Sequence, residues 1–188
     1  SGFSKQKSYQ KLLVSPSSMR EKFIFLIKRE IKNAEEGKKA EIIAKMNSLV
    51  DPEIIKLLYL ASAAGVKISL IIRGICCLYP QRKNLSENIK VISIIGHFLE
   101  HSRVFWFSNN NKHEVFIGSA DWMRRNLDRR IEAVTPIEDE ELKSKLYALL
   151  QTYIKDDYFS WIMKEDGSYE KYALDAAANR SQIDLIEK

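Results

Sequence analysis

Cysteine is nearly missing from this chain. Two occur in 188 residues, Cys76 and Cys77, and adjacent cysteines cannot form a normal structural bridge to each other. A reducing, cytoplasmic setting is therefore expected. The pair reads as two buried small apolar residues, with redox activity as the alternative. Long hydrophobic runs are also lacking. The longest, Leu57–Val66, is interrupted by Ser62 and falls short of the ~20 residues that span a bilayer. No membrane span and no signal peptide is expected. Three histidines and two cysteines show no metal-ligand spacing, and no Walker glycine loop or G-x-S-x-G elbow is found. There is no repeat and no low-complexity tract. The chain opens Ser-Gly without Met, as expected of a cut piece carrying an expression scar.

What is present is a sizeable apolar fraction and an uneven charge. Hydrophobic residues make up 45% and aromatics 10%, enough for a packed core and too many for a disordered chain. The length suits one domain, with 1–10 read as a tail or remnant and 164–188 as a C-terminal extension. The net charge is +5, but residues 1–135 hold 23 basic and 13 acidic side chains, and 136–188 hold 7 and 12. A surplus confined to the first two-thirds suggests an anionic ligand there. A solvated surface with a skewed tail is the competing account.

The elements alternate. Lys11–Val14 reads as a strand. Ser18 and Glu21 form a capping-box pattern before a helix that stops at Gly37. Ala40–Ala44 reads as a strand, and Asp51-Pro52 as an N-cap with proline at the first helical position. The helix that follows ends at Gly65. Val66–Ile72 is an unbroken apolar run, the mark of a strand buried on both faces. Tyr79–Asn88 is a polar loop. Lys90–Ile94, Val104–Phe107, Glu114–Ile117 and Arg130–Thr135 read as strands, with Asn109–Asn111 as a hairpin turn and Pro136 as a terminator. Asp139–Tyr153 is helical, Asp166-Gly167 suggests a hairpin, and Ser181–Glu187 a last helix. The expected fold is α/β, with a mixed, mostly parallel sheet flanked by helices.

Several residues could carry chemistry. Arg73 stands at the carboxyl end of a buried strand, where open α/β sheets bind ligands. Gly74 after it lets the backbone come close, and a guanidinium matches phosphate oxygens bidentately. Four arginines lie within Arg124–Arg130 and repel one another unless anions or acids sit between them. Asp121 and Asp128 can supply part of that neutralisation, and a salt-bridged surface loop is the plain alternative. His101 lies between Glu100 and Ser102, two residues from Arg103, and could serve as nucleophile or as general acid/base on a phosphoryl group. His97 and His113 read as structural or surface residues. Gly118-Ser119 offers a hydroxyl and backbone N–H groups to an anion at a strand end. Lys45 and Asn47 follow another strand toward the same rim and are further candidates to bind phosphate.

Five segments occur in order: Lys45-Met-Asn-Ser-Leu-Val-Asp51, Leu70-Ile-Ile-Arg-Gly-Ile-Cys-Cys-Leu78, Phe98-Leu-Glu-His-Ser-Arg103, Gly118-Ser-Ala-Asp-Trp-Met123 and Asn126-Leu-Asp-Arg-Arg-Ile-Glu132. Together they resemble the C-terminal domain of bacterial polyphosphate kinase of the larger, histidine-using type, over roughly Leu12–Met163. The resemblance implies a phospholipase D-like half, one of two that each contribute a histidine to a shared site. It implies reversible transfer of the ATP terminal phosphate to inorganic polyphosphate, with Mg2+ as cofactor. Carried over by motif, the second active-site histidine falls on His101, and phosphate-binding arginines fall on Arg73 and Arg130. The histidine that becomes phosphorylated and the magnesium-associated arginines belong to the preceding domain, so magnesium ligands are expected outside this chain. The expected partners are ATP or ADP, polyphosphate, the preceding domains and further copies of the same enzyme, with no nucleic acid.

Two other functions compete with this one. A phospholipase D-like phosphodiesterase or nuclease would carry H-x-K-x4-D, but Arg103 replaces the lysine and Ser108 the aspartate. A non-enzymatic nucleic-acid-binding domain would use the basic surplus with Phe105, Trp106 and Phe107, although alternation on one strand makes core packing the simpler role for these rings.

Overall fold

The computed structural model describes residues 9–172 and 179–186. Its first helix, α1 (Met19–Glu35), buries Met19, Phe23, Leu26 and Ile27 at three- and four-residue spacing, the period of one helical face. The Ser18 side chain makes no capping hydrogen bond, so the expected capping box with Glu21 does not form. Ser18 has ψ near −8°, outside the extended region from which a cap hydroxyl reaches the first free N–H groups. The other end follows its sequence signal. Gly37 takes φ +70°, and the N–H groups of Gly37 and Lys38 return to the carbonyls of Ala34 and Asn33, a glycine C-cap. The second helix, α2 (Pro52–Ala63), begins at Asp51, whose carboxylate accepts from the Glu53 and Ile54 N–H groups.

Nine strands form one sheet. In chain order they are β1 (Leu13–Ser15), β2 (Glu41–Met46), β3 (Lys67–Ile72), β4 (Ile89–Ile94), β5 (Val104–Phe107), β6 (Glu114–Gly118), β7 (Glu132–Ile137), β8 (Ser160–Met163) and β9 (Tyr169–Lys171). Their spatial order is β1-β7-β6-β5-β2-β3-β4-β8-β9. The mixed α/β class is as expected, but the sheet is not mostly parallel. Only β2–β3 and β3–β4 run parallel, and every other pairing is antiparallel. A parallel return needs a crossover of a dozen or more residues, usually helical. The segment between β4 and β5 contains no helix, and β5 comes back against the outer side of β2, antiparallel.

Helices α1 and α2 cover one face of the sheet, where Phe23, Ile54 and Leu58 share a core with Leu70, Phe105 and Phe107. A further helix, α4 (Glu140–Ile154), covers Ile43, Ile71, Ile92 and Trp106 on the other face. Phe105 and Phe107 thus pack on one side and Trp106 on the other, all buried. Some boundaries differ from expectation. β7 starts at Glu132 rather than Arg130 and runs through Pro136. Proline is tolerated there because short β1 pairs only as far as Val134, leaving β7 with a free edge beyond it. A short helix, α3 (Arg124–Asp128), occupies the arginine cluster. Helix α5 spans Ser181–Asp184, while Glu187 lies outside the described residues, as does most of the expected 1–10 tail. Cys77 is exposed and Cys76 only partly buried, so the expected burial of both fails. Burial pushes the Cys76 thiol up to about 11. No helix is long and apolar enough to cross a membrane among the described residues.

Arg20 ties three helix ends together. Its guanidinium binds Asp51 at 2.6 and 3.0 Å, Asp128 at 2.6 and 2.8 Å, and Glu53 at 3.0 Å. Burial pushes the Asp51 carboxyl up, but the bonds from Arg20 and from the α2 N–H groups outweigh it and hold the group below its usual value. Arg20→Ala should lower the unfolding free energy by about 3 kcal/mol, the low end for removing one partner of a buried ion pair. A carboxyl with a depressed folded pKa contributes stability that is present above its unfolded value of about 4 and is lost as pH falls through the folded one. Urea midpoints at about pH 7 and pH 3 should accordingly differ less in Arg20→Ala than in the parent chain.

Candidate functional site

Strand direction decides where the candidate residues meet. The parallel strands β2, β3 and β4 all end at one rim of the sheet. β5 begins there, because Lys45 pairs with Val104, and β6 ends there, because Val104 pairs with Ile117. The residues entering β7 arrive at the same rim through the Gly118↔Val134 pairing. Lys45, Asn47, Arg73, His101, Ser119 and Arg130 are therefore all on this rim.

A continuous set of polar contacts links most of them. The Gly74 N–H donates to the Asn47 carbonyl at 2.8 Å, and a Cβ at Gly74 would sit 3.0 Å from that oxygen. The glycine thus serves a close backbone crossing. The Asn47 N–H donates to Asp121 at 2.9 Å, and Asp121 also accepts from Arg103 Nε at 3.1 Å. Arg103 Nη1 in turn donates to the His101 carbonyl at 2.7 Å. Past Asp121, whose N–H donates to Asn126 Oδ1, the Asn126 amide donates to Glu132 at 2.7 Å. Glu132 also accepts from the Ser119 hydroxyl and lies 3.6 Å from Arg130 Nε.

These contacts sort the expected phosphate ligands. Arg130 is 58% exposed at its side chain and only loosely paired, so its guanidinium is available to an anion. Arg73 is half-buried, and its Nη1 is buried without a protein partner. It lines a cavity of about 10 Å³ with Lys45, Ile71, Ile94 and Glu100. Asn47 is buried, and its Nδ2 also has no partner. Ser119 is placed differently. Its N–H donates to the Ala133 carbonyl, its hydroxyl to Glu132, and its oxygen accepts from the Ala133 N–H. The Gly118-Ser119 turn is a close sheet contact, since a Cβ at Gly118 would lie 2.4 Å from the Ala133 oxygen.

Lys45 is buried, with its ammonium 2.9 Å from Glu100, 2.9 Å from the Ser102 hydroxyl and 4.8 Å from the centre of the Tyr153 ring. Burial pushes the Glu100 carboxyl up, but the Tyr153 hydroxyl, the Lys45 charge and the Gln182 amide outweigh it and leave it below its usual value. Burial and Glu100 together push the Tyr153 hydroxyl well up, so it stays protonated. His101, between Glu100 and Ser102, is exposed. His97 is exposed with its ring edge-on to Phe159, and His113 packs on Trp106. Tyr153 and Gln182 carried no motif signal, because they reach the rim only through folding. Glu100 stood beside His101 in the sequence, but its pairing with Lys45 did not.

The carboxylates at this rim do not suit a magnesium ion. Glu100, Asp121 and Glu132 are each occupied by a cation or by N–H and O–H donors. Among the described residues no three His, Cys, Asp or Glu side chains converge.

Comparison with known proteins supplies the relationship. A family model described as polyphosphate kinase C-terminal domain 2 matches residues 12–182. A polyphosphate kinase of Parasynechococcus marenigrum is 57% identical over 189 residues, covering 100% of this chain and 26% of the relative. The crystal structure of polyphosphate kinase from Porphyromonas gingivalis superposes with a TM-score of 0.92 at 39% identity, over 98% of this chain and 28% of that one. The chain thus spans about a quarter of the relatives' length. A phospholipase D family member, Nuc from Salmonella typhimurium, aligns with a TM-score of 0.54 at 18% identity, over 77% of this chain and 92% of its own, a likeness of fold alone. The fold is phospholipase D-like, and the chain belongs to the polyphosphate kinase family as its C-terminal domain 2.

Proposed function

We propose that this domain supplies one side of a site for reversible transfer of the ATP terminal phosphate to inorganic polyphosphate. The observation that carries the reading is an exposed histidine on the same rim as an arginine whose buried guanidinium nitrogen has no protein partner. Such a nitrogen is costly to leave unmatched, and a phosphate oxygen is a fitting acceptor. Phosphoryl transfer needs positioning and cancellation of charge more than elaborate covalent chemistry. Arg73 and Arg130 hold phosphate oxygens, and His101 assists as acid/base or by binding the moving phosphoryl group. Asn47 has an unpartnered amide nitrogen with which to add a neutral donor. Magnesium, ATP and the rest of the polymer groove engage residues of the preceding domains, as the occupied carboxylates here suggest. No step of the reaction runs through the metal in this domain.

The phosphodiesterase alternative has less support. Ser108, in the place of the aspartate of H-x-K-x4-D, is fully buried beyond the far end of β5 from His101. Arg103, in the place of the lysine, is engaged by Asp121 and the His101 carbonyl. The nucleic-acid-binding alternative loses its aromatic surface, because all three rings are buried.

The 188-residue chain alone should form no ATP from ADP and polyphosphate, since it offers one candidate histidine; robust turnover in that assay would refute the two-domain reading. In the full-length kinase, Arg73→Ala should reduce kcat/KM for ATP or polyphosphate by ~10-fold or more, the cost of a lost charged contact of about 1.5–3 kcal/mol. His101→Ala should reduce kcat with little change in KM, and steady-state kinetics with both substrates separate the two effects.

A further inference from the structure

The residues on either side of His101 share one buried lysine. Glu100 and Ser102 both contact the Lys45 ammonium at 2.9 Å, and 99–102 is free of helix, turn and bend. Holding both neighbours on Lys45 fixes the backbone on either side of His101, which is exposed, as is Ser102.

A second grip comes from the far end of the chain. Gln182, 4% exposed, accepts from the Phe98 N–H at 3.0 Å and donates to the Phe98 carbonyl at 2.9 Å and to Glu100 at 3.0 Å. Gly96 makes room for it, since a Cβ there would lie 2.2 Å from the Gln182 side-chain oxygen. Ser181 locks α5 in place through two bonds to Asp156, at 2.7 and 2.5 Å. Tyr153 of α4 stands beside both, its hydroxyl favouring the charged form of Glu100 and its ring 4.8 Å from the Lys45 ammonium.

We propose that Lys45 and Gln182 are positioning residues for His101, acting through Glu100, Ser102 and the Phe98 backbone, and that Lys45 is not a phosphate ligand. The buried ammonium already faces a carboxylate and a hydroxyl, so a substrate phosphate would have to displace them. The C-terminal segment then has a definite task, which is to hold the histidine segment at the rim.

The catalytic part of this proposal rests on the reading of His101 given above, and two readouts separate them. In the full-length kinase, Lys45→Met and Gln182→Ala should each lower kcat by about 10- to 100-fold while KM for ATP and polyphosphate stays within about 2-fold, the signature of a misplaced catalytic group. Lys45→Arg should recover part of the loss. In the 188-residue chain, the His101 imidazole resonances should shift and broaden in both variants. A raised KM with unchanged kcat in Lys45→Met would make Lys45 a phosphate ligand and overturn the proposal, as would unaltered His101 resonances in the two variants. Should Lys45→Met fail to fold, Gln182→Ala decides the question by the same two measurements. If His101→Ala keeps full kcat, the catalytic reading of His101 falls. The clamp is then judged on the imidazole resonances alone.

Discussion

Strand β2 is bordered by two kinds of ladder, and the rest of the site depends on that arrangement. On one side it runs parallel to β3, and on the other antiparallel to β5, with Lys45 opposite Val104. The parallel pairing sends the ends of β2 and β3, with Asn47 and Arg73, to one rim. The antiparallel pairing brings the start of β5 to the same rim, and with it Glu100, His101 and Arg103. A register slip of one residue would turn Lys45 to the opposite face, away from Glu100 and into the apolar layer under α1 and α2.

Charge compensation then divides the basic surplus into two groups. Lys45, Arg103 and Arg20 are committed to Glu100, Asp121 and the Asp51–Asp128 pair. They hold segments in place and are spent as charges before any ligand arrives. Arg73 and Arg130 are not so engaged. Arg124, Arg125 and Arg129 lie exposed around α3, and α3 itself is fastened at Asp128 by Arg20. A net charge of +5 says nothing of which cations are committed and where the others lie.

Much of the architecture was legible in local signals. Asp51-Pro52 and Gly37 marked helix ends by satisfying or bending specific backbone groups, and Val66–Ile72 announced a strand buried on both faces. The Ser18–Glu21 pattern misled because it specifies residue types but not the backbone angle the cap needs. The mostly parallel expectation failed because alternation of elements cannot tell which side of β2 a returning strand will join. Of the candidate site, the residue types were legible in five ordered motifs, and the rim position of Arg73 followed from its place at a strand end. The engagement of Ser119 within the sheet was not, since Glu132 and Ala133 approach it only through the β6–β7 pairing.

The sequence by itself determined most of the elements, the charge imbalance and the inventory of histidine and arginines, because those follow from residues close together in the chain. The tertiary structure alone decided which cations remain free and what holds His101. The deciding partners lie far apart: Lys45 and Ser102 are separated by 57 positions, Gln182 and Phe98 by 84, and Arg20 and Asp128 by 108. Neutralisation and positioning act over a few ångströms of space, and only the folded sheet brings those positions within that range.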